Sequence, residues 1–148
     1  MSMEDMELLV VEDNPDDLAL MLRVLRQSRL ANRIAVARDG AEALDFVFCT
    51  GAYAHRHIND RPKVIFLDLK LPKVDGLEVL QRIKTDPRTQ AIPVIMFTSS
   101  NEERDEVESY RLHVNSYITK PADFLQFSDA IRQVGLYWLL LNQPPPLE

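Results

Sequence analysis

Short apolar runs alternate with helix-period segments along most of this chain. Leu8-Leu9-Val10-Val11 is one such run and ends at acids. Val64-Ile65-Phe66-Leu67 ends at Asp68, and Val94-Ile95-Met96-Phe97 ends at Thr98. Ile34-Ala35-Val36 and Tyr117-Ile118 are weaker versions of the same pattern. Runs that are apolar at successive positions predict strands buried on both faces, as in a parallel sheet covered by helices.

The intervening segments carry helix signals. Asn14 before Pro15 predicts an N-cap and a first helical residue. Leu18, Met21, Leu22 and Leu25 then fall on one face. Ala43, Leu44, Val47 and Phe48 repeat the pattern. Asp75-Gly76 opens a third helix, with Asp75 as its cap and Leu77, Leu80 and Ile83 facing inward. The stretch 101–112 is mostly charged, with Val107, Tyr110 and Leu112 as anchors, which predicts the least firmly held helix. Asp123 is the expected cap of the last one. Five β-α units joined by right-handed crossovers predict an α/β fold, a doubly wound five-stranded parallel sheet with helices on both sides. The domain is expected to span 1–140, with a proline-rich tail at 141–148. The long connection is 49–62.

Composition narrows the picture. A chain of 148 residues that is 46% hydrophobic suffices for one domain with a real core. A net charge of −6 without a basic run argues against nucleic acid as a direct partner. Cys49 is the sole cysteine, so no intrachain disulfide forms, and it reads as a small, at least half-buried side chain. The start, Met-Ser-Met-Glu-Asp-Met-Glu, lacks the basic and apolar stretches of a signal peptide, and the apolar run Leu136 to Leu141 is too short to span a bilayer. A cytoplasmic location without membrane contact is the expectation. His55 and His57 have no third ligand nearby in the sequence and read as surface residues.

The acids carry the chemistry. Glu12 and Asp13 follow the first apolar run and Asp68 follows the third. Where those two strands are neighbours, the crevice beyond their carboxyl ends is the ligand site of an open α/β sheet. Three carboxylates converging there repel one another unless a cation is present. A hard cation fits: Mg²⁺, with Mn²⁺ or Ca²⁺ as substitutes, takes carboxylates, waters and a phosphate oxygen. Asp13 and Asp68 are the candidate direct ligands, Glu12 the holder of a coordinated water, and the backbone carbonyl of Lys70 a further ligand. A carboxylate is also a phosphoryl acceptor, and Asp68 is the candidate. Thr98 offers a hydroxyl at the end of the fourth strand, and Lys120 offers an ammonium at the end of the fifth. Taken singly, Thr98 is an ordinary strand residue and Lys120 a solvated charge. Their joint placement at strand ends is what singles them out. Asn14 and Asp75 supply the helix caps, so the acids are not needed for that role.

Glu12-Asp13, Asp68 with Pro72 and Gly76 beyond it, Thr98, and Lys120-Pro121 resemble, in that order, the full signature of CheY-like receiver domains. The resemblance covers residues 6–137. It implies the flavodoxin-like (βα)5 fold with strand order 2-1-3-4-5; CheY is itself a standard example of that order, which therefore comes from the family and not from the periodicity. It implies a single-domain response regulator of a two-component phosphorelay. The donor would be the phosphohistidine of a sensor histidine kinase, and the output would be protein–protein contact with a downstream partner. Any catalysis would be limited to slow hydrolysis of its own acyl phosphate. The resemblance further implies Thr98 and Tyr117 as a switch pair, with small Ser99 leaving the site accessible. The stretch from Gly51-Ala52-Tyr53 through Arg61-Pro62, with Phe66-Leu67-Asp68-Leu69-Lys70-Leu71-Pro72-Lys73 after it, is similar to the narrower group of regulators paired with phytochrome kinases. Lys70 and Ala122 depart from the usual pattern. Lys70 stands where many receivers have Asn or another neutral or acidic residue, so its ammonium is expected to compete at the site or alter the phosphoryl lifetime, and Ala122 stands where Phe is common.

Other classes fit less well. A phosphatase with an Asp nucleophile, of the haloacid dehalogenase kind, needs an acid two residues after the nucleophile, where Lys70 stands. A flavodoxin-like cofactor binder needs a Ser/Thr/Gly-rich phosphate loop after the first strand, but Glu12-Asp13-Asn14-Pro15-Asp16-Asp17 is acidic and repels phosphate without a metal. A non-phosphorylated scaffold receiver would not require an intact site. Lastly, Phe124, Phe127, Ile131, Val134, Trp138 and Leu141 form one helical stripe, while Leu125, Leu136, Tyr137, Leu139 and Leu140 lie off it. A helix apolar on more than one face predicts a homodimer through the fourth and fifth helices and the fifth strand, with Tyr110, Phe127, Tyr137, Trp138 and Leu140 at the interface.

Overall fold

The computed structural model describes residues 7–28, 33–120 and 124–136. Five parallel strands, β1 (Glu7–Val11), β2 (Arg33–Ala37), β3 (Val64–Asp68), β4 (Val94–Thr98) and β5 (Ser116–Thr119), form one sheet in the order β2-β1-β3-β4-β5. Helices α1 (Pro15–Ser28), α2 (Gly40–Phe48), α3 (Gly76–Thr85), α4 (Asn101–Ser109) and α5 (Phe124–Leu136) connect or follow them. This is the expected doubly wound arrangement. Among the described residues no helix is long and apolar enough to cross a membrane.

The period-two geometry of a strand explains why the apolar runs are unbroken. Leu8, Val10, Val64, Phe66, Ile95 and Phe97 turn to one face and pack with Leu18, Met21 and Leu25 of α1 and Ile131 of α5. Leu9, Val11, Ile65, Leu67, Val94 and Met96 turn to the other face, onto α2, α3 and Val107 of α4. Each central strand therefore feeds two cores. A polar residue inside either run would lie in a buried layer, so polar side chains collect at the strand ends.

The caps mostly follow the sequence. Asn14 Oδ1 accepts from the N–H groups of Asp16 and Asp17 at 2.9 and 3.0 Å. Asp39 caps α2 through the Glu42 N–H at 2.8 Å. Ser100 caps α4 through the Glu103 N–H, while Glu103 Oε1 accepts from the N–H of Ser99, the residue before the cap. Asp75 differs from expectation: it occupies the N-cap position of α3 but its side chain makes no capping bond. The α3 start is held instead by the Gly76 N–H, which donates to the Leu69 carbonyl at 3.0 Å. A Cβ at Gly76 would lie 2.2 Å from the Asp68 carbonyl oxygen, so only glycine lets α3 approach the strand end this closely. Leu80 and Ile83 are fully buried and Leu77 packs half-buried against the same core, as expected, and Val79 adds a further buried position.

Tyr110 is also corrected. The helix α4 stops at Ser109, Arg111 turns the chain at φ 52, and Tyr110 is left 50% exposed instead of anchoring the helix. Val107 is its buried residue. Asp123 lies outside the described residues, as do the boundary at residue 140 and the tail. The 49–62 connection contains two single 3-10 turns, Gly51–Tyr53 and Ile58–Asp60. His55 and His57 are exposed, and His57 Nδ1 accepts from the Asn59 N–H at 3.1 Å.

Candidate metal and phosphoacceptor site

The parallel register brings the strand ends to one edge. Val11 pairs with Leu67, so Glu12 and Asp13 leave β1 beside Asp68 at the end of β3. Asp68 pairs with Phe97, and Thr98 lies one step further along β4. Thr98 in turn pairs with Thr119, and the Lys120 N–H donates to the Thr98 carbonyl at 2.7 Å. Lys120 therefore sits one residue beyond β5, not on its last position as the pattern suggested.

Glu12, Asp13 and Asp68 each offer a carboxylate oxygen, and these oxygens lie within 4.8 Å of one another. Among the described residues no other group of three His, Cys, Asp or Glu side chains converges in this way. Glu12 has no solvent exposure, Asp68 is buried and Asp13 is exposed. The cluster is thus closed at its base and open at its rim. Lys120 reaches in from β5: its Nζ donates to Glu12 and, at 3.2 Å, to Asp68 Oδ2. It also pairs with Asp17 Oδ2 at 3.1 Å. Burial, then the neighbouring Asp68, pushes the Glu12 carboxyl up to about 8 against the pull of Lys120. Burial alone would lower Lys120, but its bond to Glu12, the charges of Asp68 and Glu12, and its bond to Asp17 hold the ammonium above its ordinary value.

Three carboxylates set against one ammonium suit a divalent cation with oxygen ligands. Asp13 gives access from solvent, and the donor set is all oxygen. Thr98 supplies a second sign of an intended ligand. Its Oγ1 is buried and has no hydrogen-bond partner among the described residues. A buried hydroxyl without a partner is unusual in a stable fold and fits a donor reserved for a ligand oxygen.

Sequence reasoning placed Glu12, Asp13, Asp68, Thr98 and Lys120, and the structure brings all five to one edge. Lys70, proposed as a carbonyl ligand, follows two residues after Asp68 and is exposed. Tyr117 stands outside the acid cluster. It packs on the α2–α4 side, with the Arg104 guanidinium 4.8 Å from its ring. Asp17 and Arg104 were missed. An acid in a first helical turn reads as a dipole partner, and Arg104 sits in a charged stretch without a distinguishing signal. Of the expected dimer residues, Tyr137, Trp138 and Leu140 lie outside the described residues, as does the side chain of Phe127.

A parallel sheet whose first and third strands deliver an acid cluster to an edge shared with a threonine and a lysine defines a signalling receiver. Residues 8–132 match the response regulator receiver domain, and the chain belongs to that family. Response regulator Rcp1 of Synechocystis sp. is 39% identical over 132 residues, covering 89% of this chain and 88% of Rcp1. A crystal structure of Mn²⁺-bound Rcp1 aligns over 95% of this chain and 99% of that one, with TM-score 0.83 and 37% identity. The bacteriophytochrome response regulator RtBRR is 50% identical, with TM-score 0.79, over 95% of this chain and 84% of that one. The phosphorylated cyanobacterial phytochrome response regulator RcpA is 39% identical, with TM-score 0.84, over 95% of this chain and 98% of that one.

Proposed function

We propose that this receiver takes a phosphoryl group onto Asp68 from the phosphohistidine of a sensor histidine kinase of the phytochrome type, with Mg²⁺ as the working cation. The observation that carries the reading is Asp68 itself. Its carboxylate is shared between an acid cluster suited to a cation and the Lys120 ammonium, beside a threonine hydroxyl without a partner. The metal-bound form of Rcp1 and the phosphorylated form of RcpA support the same chemistry in relatives. The phytochrome assignment is supported by the similarity of this chain to the phytochrome response regulators RcpA and RtBRR.

In this reading a carboxylate oxygen of Asp68 attacks phosphorus, the phosphorus–imidazole bond breaks, and the leaving nitrogen keeps the electron pair. Bound Mg²⁺ would offset the charge of the transferring group. Asp13 and Asp68 would hold it directly, Glu12 through water, and Lys70 through its carbonyl. Lys120 would move a hydrogen bond from Asp68 to a phosphoryl oxygen, and Thr98 would donate to another. Thr98 and Tyr117 would then report the change, with Tyr117 leaving its present packing under Arg104. The output is contact with another protein, and hydrolysis of the acyl phosphate is slow. The domain spans 1–140 and the tail 141–148. A homodimer through α4, β5 and α5 belongs to the proposal, supported by exposed Tyr110 and by Leu125, 74% exposed. Light scattering that stays monomeric at high concentration would remove the dimer.

The decisive experiment is intact mass after incubation with a small phosphodonor and Mg²⁺. One added phosphoryl group is expected, absent with chelator and absent in Asp68→Asn. A full adduct on that variant would place the acceptor elsewhere.

A further inference from the structure

An ammonium has three N–H donors. Those of Lys120 face three carboxylates: Glu12, Asp68 and Asp17. Two of these belong to the acid cluster. Asp17 does not, since it sits in the first turn of α1, outside the group that converges for a cation. Its position follows from local structure. Pro15, Asp16 and Asp17 are the first three helical residues, fixed by the Asn14 side chain, and only the third reaches toward β5. Asp16 carries the same charge one residue earlier and is exposed. The helix dipole favours an acid at either place, so it does not account for the contact.

We infer that Asp17 is a positioning residue for phosphoryl transfer: it anchors the Lys120 ammonium from the solvent side and aims its remaining donor at Asp68. This rests on the phosphoacceptor reading and deepens it. When Asp68 gains a phosphoryl group, one donor of Lys120 must pass to the incoming oxygens. Glu12 lies at the closed base of the site and holds the ammonium from below. Asp17 holds it from the rim, where a four-carbon side chain otherwise samples several rotamers. With both anchors in place the third donor has one direction left. Without Asp17 the ammonium swings about Glu12, and the oriented donor is lost.

The test uses the full chain and a small phosphodonor with saturating Mg²⁺. Asp17→Asn is expected to slow phosphoryl uptake about tenfold, as for a misaligned charged donor. Asp16→Asn should stay within about twofold, since it removes the charge without the contact. Asp17→Glu should restore most of the rate. In a Lys120→Met background, Asp17→Asn should have no further effect, because the cycle isolates coupling through Lys120. Independently of activity, brief acetic anhydride labelling of metal-free protein should modify Lys120 about threefold faster in Asp17→Asn, measured against exposed Lys73 by peptide mass. Equal slowing by Asp16→Asn, a full penalty in the Lys120→Met background, or unchanged Lys120 labelling overturns the inference. A wild-type protein that gains no phosphoryl group overturns the proposed function instead, and the labelling still decides the role of Asp17.

Discussion

Gly40 lies so close to Val74 that a Cβ on the glycine would meet the valine carbonyl oxygen at 1.8 Å. The Gly40 N–H also donates to the Pro72 carbonyl at 3.2 Å, and Lys73 pairs with Asp39 at 3.4 Å. The start of α2 and the loop that follows Asp68 are therefore one packed unit. The obstacle is backbone, which does not swing aside as a flexible side chain would. Gly40→Ala is expected to lose about 2–3 kcal/mol of stability, the usual penalty for overpacking a tight contact. Urea unfolding measures it, and an unchanged midpoint would mean that the two segments separate freely.

Thr98 offers a cleaner division of stability from function. Its hydroxyl makes no hydrogen bond within the described residues, so removing it breaks none. Thr98→Val keeps the β-branched shape that suits a buried strand. Unfolding free energy should stay within about 0.5 kcal/mol of wild type or rise, because a buried orphan hydroxyl is removed. Phosphoryl uptake from a small donor should fall about tenfold, the worth of one hydrogen bond to a charged oxygen. A variant that loses stability but keeps the rate would contradict both halves.

Most of the site was legible because the chemistry sits where apolar runs stop. Glu12, Asp68 and Thr98 each end a run that cannot hold a polar residue, so their positions mark one edge of the sheet. What remained hidden depends on side-chain direction across elements. Asp17 meets Lys120 from the opposite end of the domain sequence, and nothing in a first-turn acid announces that partner. Asp75 looked like a cap because it precedes a helix, yet the tight approach of Gly76 to Leu69 had already satisfied the turn. Tyr110 looked like an anchor because periodicity cannot see that the helix ends at Ser109, three residues before the end of the expected stretch.

Lys84 ties a pH dependence to the far end of α3. Its Nζ donates to the Ile92 carbonyl at 2.7 Å and the Gln90 carbonyl at 3.2 Å, and burial lowers its pKa from 10.5 to about 8. Below pH 8 both folded and unfolded states hold the proton, and the full penalty of burying the charge applies. Between 8 and 10.5 the unfolded state binds more protons, so stability rises with pH across that window. Lys84→Met lacks the group. The stability of wild type relative to that variant should climb from pH 8 to pH 10, followed by urea titration at each pH. A difference that is flat or falls would place the ammonium in solvent.

Arg56 is the last case, and it concerns the long connection. Its guanidinium donates to the Phe46 carbonyl at 2.9 Å, to Glu7 Oε1 at 3.0 Å and to the Asp60 carbonyl at 2.8 Å, and it stacks 3.5 Å from the centre of the Phe46 ring. One side chain thus joins the end of α2, the start of β1 and the second 3-10 turn. Glu7 also pairs with Arg33 at 3.2 Å, so its carboxylate keeps one partner if Arg56 is lost. Arg56→Ala leaves the Phe46 carbonyl only the weak Cys49 thiol contact at 3.9 Å and uncovers the ring, at an expected cost of about 2 kcal/mol. Limited proteolysis should then cut within 50–62 well before the rest of the domain. Phosphoryl uptake should be unaffected, because Glu7 begins the strand whose far end delivers Glu12 and Asp13. A variant that resists the protease as wild type does, or that loses uptake in step with stability, would show that the connection does not depend on this one arginine.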